Sequence, residues 1–205
     1  MAGRFLYLMR HGEAAEDGEL TARGEEQARL AGERLRAVPL TGVFHSPRSR
    51  AVRTAQIVAS CVPGVSPAAS ELLDDYIPSD PDPTELPASF GRLVSAYSPP
   101  ERVAGAGLAR SAVARFGGAG GSAESGADEH ELLVTHNFLI GWFVRDVLGA
   151  PDWRWLGLNQ QNCALTVILY RAELPPSLLS FNDASHLTAP LRWTGFPPGL
   201  RPPSG

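Results

Sequence analysis

Short apolar runs alternate along this chain with segments in which apolar residues recur at helical spacing. Residues 4–9 are almost continuously apolar, which predicts a buried first strand. Behind Thr21, a natural cap, Ala28, Ala31, Leu35 and Val38 predict a helix over roughly 22–37. The run VFHS predicts a second strand. Ser46-Pro47 then predicts an N-cap followed by proline at the first position of a helix through RSRAVRTAQIVAS. YIPSDPDPTELP predicts chain without regular structure, and a helix is expected around 101–116. The glycine-rich, acidic stretch at 117–130 predicts a mobile surface loop. ELLVT predicts a third strand ending at His136, and FLIGWFVRDVLG, apolar on nearly every side, predicts a buried helix stopped by Gly149 and Pro151. ALTVILY and SLLSF predict the last strands, and an irregular tail is expected over about 190–205. Strands alternating with helices predict an α/β fold in one domain, a three-layer α/β/α sandwich with a mostly parallel central sheet.

Composition narrows the function classes. The 205 residues suffice for one domain with a substantial core, and 43% hydrophobic content suits a globular protein. No apolar run reaches the ~18 residues of a bilayer span, so no membrane partner is expected. RFLYLM is too short for a signal-peptide core, and Cys61 and Cys163 show no metal-type spacing; both predict a cytoplasmic protein with reduced thiols. A net charge of −4 argues against nucleic acid as a partner. All 18 basic residues are arginine, which excludes lysine catalysis.

Three segments stand at comparable places: MRHG after the first strand, SPRSRA after the second and TH after the third. Ligands of open α/β sheets bind at the carboxyl ends of strands, so all three can meet at one edge. Gly12 is expected to supply the turn that brings Arg10 and His11 onto one ligand. A neutral imidazole can attack phosphorus, and guanidinium groups match phosphate oxygens in charge and fork geometry. The helix start after Ser46 adds backbone N–H groups that favour an anion. The chemistry predicted is phosphoryl transfer with no metal, no cofactor and no nucleotide loop.

LYLMRHGEAAEDGELTARGEEQA, HSPRSRAVRTAQIVA and LLVTHN together resemble the histidine phosphatase superfamily, also called phosphoglycerate-mutase-like. The resemblance covers about residues 4–62 and 131–148, with FNDASHL a looser match. It implies His11 as a nucleophile forming a phosphohistidine, with Arg10, Arg50 and His136 binding the phosphoryl group. Gly12 matches the motif glycine, and its carbonyl is expected to hold the His11 tautomer. The proton donor is expected at Asp75, an aspartate where the family's protein-phosphatase branch carries glutamate, with Asp74 and Asp80 as alternatives. Asp17 stands where many members have asparagine and is not expected to touch phosphate.

Asn137 reads either as pocket lining that binds substrate or as a cap on the buried helix. His45 and His186 read as structural, His130 as solvated, Trp153 and Trp155 as core or pocket wall, and both cysteines as buried small hydrophobes. The resulting expectation is a cytoplasmic, metal-independent phosphomonoester hydrolase. Its substrate would be a phosphorylated small molecule or phosphoprotein. The alternatives are a phosphoglycerate-type mutase and an inert relative that binds a phosphorylated ligand.

Overall fold

Alternate residues of the central strands sort into two separate cores. In the computed structural model, which describes residues 2–119, 126–196 and 198–201, the first strand β1 spans Gly3–Arg10. Its Leu6 and Leu8 join one apolar cluster and Met9 the other. Strand β4, Glu129–Thr135, divides in the same way, with Leu133 on one side and Leu132 and Val134 on the other. This is the period-2 alternation of a strand covered on both faces.

Helices α1 (Ala22–Leu35) and α2 (Ser49–Cys61) cover one face, supplying Ala28, Ala31, Leu35, Ala51, Ala55 and Val58. Helices α3 (Ala88–Ser95), α4 (Pro99–Phe116) and α5 (Asn137–Val147) supply Val94, Phe116 and Phe143 to the other. The remaining strands are β2 (Gly42–His45), β3 (Pro67–Ala69), β5 (Leu165–Arg171) and β6 (Leu174–Asp183). The six strands run in the order β3-β2-β4-β1-β5-β6, parallel except at the two pairings of β5. The result is an α/β/α sandwich on a mostly parallel sheet. Among the described residues no helix is long and apolar enough to cross a membrane.

Several boundaries differ from the sequence reading. Thr21 does cap α1, accepting a hydrogen bond from Gly24 N at 3.0 Å. Ser46 is not the N-cap: α2 starts three residues later with Arg48 in that place, and Ser46 Oγ accepts from Arg48 N–H at 3.2 Å. Strand β3 and helix α3 were not anticipated. The first is a three-residue edge strand opened by a proline, and the second is only eight residues long with Gly91 inside it. Of the expected loop at 117–130, residues 129 and 130 already belong to β4 and 120–125 lie outside the described residues. The irregular tail contains a 3₁₀ turn at Ala189–Leu191, and its Thr194 is buried.

Candidate active site

Strand β4 lies between β2 and β1, so the ends of these three strands are neighbours. Backbone bonds continue past the strands: His11 N–H donates to Thr135 O at 3.0 Å, and Ser46 N–H to Val134 O at 3.0 Å. His11 and His136 thereby leave adjacent strand ends, with ring centroids 5.1 Å apart. Arg50 reaches them from the first turn of α2.

His11 donates from Nδ1 to Gly12 O at 2.7 Å, which leaves the Nε2 lone pair facing the cleft. Arg50 Nε–H donates to that Nε2 at 3.1 Å, while its Nη2 reaches Asp75 Oδ2 at 2.7 Å. His136 meets Ser46 Oγ through Nε2 at 2.8 Å, so its Nδ1 turns toward Asp75 Oδ2, 3.6 Å away. Burial first, then His136 and Arg10, hold His11 well below the ordinary imidazole range. His136 is pushed down to about 3, chiefly by burial and then by Arg50. Both rings are therefore neutral at neutral pH, the state a nucleophilic imidazole requires. Arg10 Nη1 donates to Gln160 O at 2.8 Å and Gly195 O at 2.9 Å. Its Nε is buried without a partner, a donor that an anion in the cleft would satisfy.

The three candidate acids occupy different surroundings. Asp74 pairs with Arg48 at 2.6 Å and Asp80 with Arg102 at 2.6 Å. Asp75 alone of the three lines the cleft, which holds about 370 Å³ and is also lined by Arg10, His11, Tyr97 and His136. Asn137 lines it too, but it does not cap α5. Its amide is tied to the following loop, donating to Asn159 Oδ1 at 3.1 Å and accepting from Gln160 N–H at 2.6 Å. Asp17 is exposed and accepts from Glu19 N–H within its own turn. Among the described residues no group of three or more His, Cys, Asp and Glu side chains could hold a metal ion.

The Gly12 carbonyl holds the His11 ring as its motif implies, but the residue does not supply the expected glycine turn. Its φ is not in the left-handed region; a Cβ there would come within 2.5 Å of Gly24 O. The need is close approach of two backbones, and Gly24, the glycine of LTARG, is its counterpart. His130 is half-buried rather than fully solvated: its ring stacks on Phe5 at 4.7 Å, and Tyr7 Oη lies 3.2 Å from Nδ1. His45 is buried, with Nδ1 on its neighbour's carbonyl, and His186 holds Cys163 O. Cys163 is buried, whereas Cys61 is half-buried.

Sequence reasoning missed the residues that anchor the site from the C-terminal side. Asn162 Nδ2 donates to His11 O at 2.8 Å, and Cys163 N–H donates to Arg10 O at 2.9 Å. Gly195, at φ +79, lets its backbone pass against Arg10; a Cβ there would stand 2.5 Å from Nη1. The signal was the amide run Asn159–Asn162, in which Gln160, Gln161 and Asn162 are all buried. Clustered buried amides satisfy backbone groups at a site where strands end.

Comparison with known proteins bears on the family and the fold. The family model of the histidine phosphatase superfamily (branch 1) matches residues 6–184. The mouse serine/threonine-protein phosphatase PGAM5, mitochondrial, is 30% identical over 196 residues, covering 91% of this chain and 65% of the relative. The chain thus spans less than two thirds of that relative's length. A Klebsiella pneumoniae protein described as "Probable phosphoglycerate mutase GpmB" is 30% identical, covering 90% of this chain and 95% of its own. Among solved structures, mycobacterial glucosyl-3-phosphoglycerate phosphatase shares the fold at TM-score 0.62 and 21% identity, covering 89% of this chain and 100% of that one.

Proposed function

The chain belongs to the histidine phosphatase superfamily, and on that premise we propose that it is a metal-independent phosphomonoester hydrolase working through a phosphohistidine on His11. The observation that carries this reading is the pairing of His11 Nδ1–H with Gly12 O, which presents a neutral Nε2 to the cleft. An incoming phosphoryl group takes over the N–H groups of Arg50, and the Nε2 lone pair is then free to attack. Arg10, Arg50 and His136 hold the phosphoryl oxygens. The P–O bond to the alcohol breaks as P–N forms, and Asp75 protonates the departing oxygen. Asp75, now a carboxylate, takes a proton from water as that water attacks the phosphohistidine. The P–N bond breaks and neutral His11 is restored.

Guanidinium groups supply the positive charge that a metal supplies in other phosphoryl-transfer sites. The matching mutase relative makes return of the phosphoryl group to a second hydroxyl the rival reading. A screen of phosphomonoesters in EDTA tests the proposal. Release of inorganic phosphate at an undiminished rate is expected; activity that disappears on chelation and returns with magnesium would overturn it. A product with phosphate on a new carbon and no free phosphate would favour the mutase.

A further inference from the structure

The catalytic cleft adjoins a second, apolar pocket. Leu93, Asn137, Phe138 and Asn159 line both, so the two share a rim. The second pocket holds about 320 Å³ and is walled by Phe90 and Leu93 from α3, Phe138 from α5, then Trp155, Leu156 and Leu200. No charged side chain lines it among the described residues. An apolar cavity of about 150 Å³ is enough to take benzene, so this one admits a ring system or a medium alkyl chain.

Two of the polar side chains that border the pocket already have partners. Trp155 Nε1 donates to Ser79 Oγ at 2.8 Å, leaving the indole face as wall against Phe138, 4.8 Å away between ring centroids. The Asn137 amide is held by Asn159 and Gln160. Arg154 approaches the rim at Gly157, where a Cβ would stand 3.3 Å from its Nη1, and that Nη1 donates to Leu156 O at 2.8 Å. A second anionic group inside the pocket would therefore meet mainly aromatic and aliphatic carbon, with the Arg154 Nη1 already bonded to Leu156 O.

Resting on the phosphatase reading of the cleft, we propose that this pocket is a subsite for the leaving group, and that the substrate is a small phosphomonoester whose alcohol carries an alkyl or aryl portion. Such a group passes from phosphorus over Leu93 and Phe138 and leaves water for the pocket. Each methylene fully transferred strengthens binding about fourfold.

The test separates binding from turnover. Calorimetry gives the affinity of n-alkylphosphonates from methyl to hexyl, whose P–C bond is not cleaved, and of a hexylphosphonate ending in carboxylate. Hydrolysis of the matching alkyl phosphates is followed in parallel. Affinity should rise about threefold to fourfold per methylene, and the terminal carboxylate should cancel most of the gain. Phe90→Ser should flatten the series. Leu200→Ser, at a residue 56% exposed and so tolerant of change, should flatten it at the longer chains. A flat series, or tighter binding of the carboxylated probe, overturns the subsite. If affinity rises with length while none of the phosphates is hydrolysed, the subsite stands and the hydrolase reading falls.

Discussion

Asp75 shares the guanidinium of Arg50 with the lone pair of His11, through Nη2 at 2.7 Å and Nε at 3.1 Å. One cation thus links the proposed nucleophile and the proposed acid, and a phosphate taking up that guanidinium would loosen both links together. The acid matters most for a poor leaving group, since an alkoxide must gain its proton as its bond to phosphorus breaks. Asp75→Asn should slow hydrolysis of an alkyl phosphate by roughly 10²–10⁴-fold, the usual worth of general acid–base assistance. p-Nitrophenyl phosphate, whose leaving group needs little help, should suffer far less. Asp74→Asn and Asp80→Asn serve as controls, because Arg48 and Arg102 hold those carboxylates elsewhere. Equal losses on both substrates would reduce Asp75 to shaping the pocket.

At the scale of elements, α1 and the loop after β1 interlock through two glycines. A Cβ on Gly24 would stand 2.0 Å from Glu13 O, a backbone atom that cannot move aside cheaply. Gly24→Ala should lower stability by about 1–3 kcal/mol, as overpacking does, and should impair turnover by shifting Gly12 and with it the His11 ring. Gly107→Ala in α4, where nothing lies within 4 Å, is the matched control and should be neutral or stabilising in urea unfolding. These two glycines also mark the limit of what the sequence disclosed. The long periodic elements were legible because burial imposes a period of 2 or 3.6 residues. His11, Arg50 and His136 were legible because each follows a recognisable strand within a motif. Short elements such as β3 carry too few residues to show a period. The contacts of Gly195 and Asn162 with Arg10 and His11 join positions more than 150 residues apart, and their pairing exists only once the sheet is formed. Ser46 was read as a local cap, since its bond to His136 likewise spans the fold.

For the molecule as a whole, buried neutral histidines tie stability to pH. His136 is pushed down to about 3 and His186 to about 4, both chiefly by burial, while an unfolded chain protonates its histidines near 6.5. Between these values the unfolded state binds more protons, so stability rises with pH. The contribution is present above about pH 6.5 and is lost as pH falls through 4 toward 3. Urea unfolding between pH 7 and 4 should show that decline, and His186→Gln should make it shallower by removing one group that must charge. A pH-independent midpoint would contradict the burial argument.

The central claim is that a covalent bond forms between phosphorus and His11 Nε2. Rapid quenching of the enzyme with a phosphomonoester, followed by intact-mass analysis and peptide mapping, tests it most directly. The account predicts one added phosphoryl group on the peptide holding His11, labile in acid and stable in base, and absent from His11→Ala. Full turnover by His11→Ala, or a phosphoryl group trapped on any other residue, would contradict it.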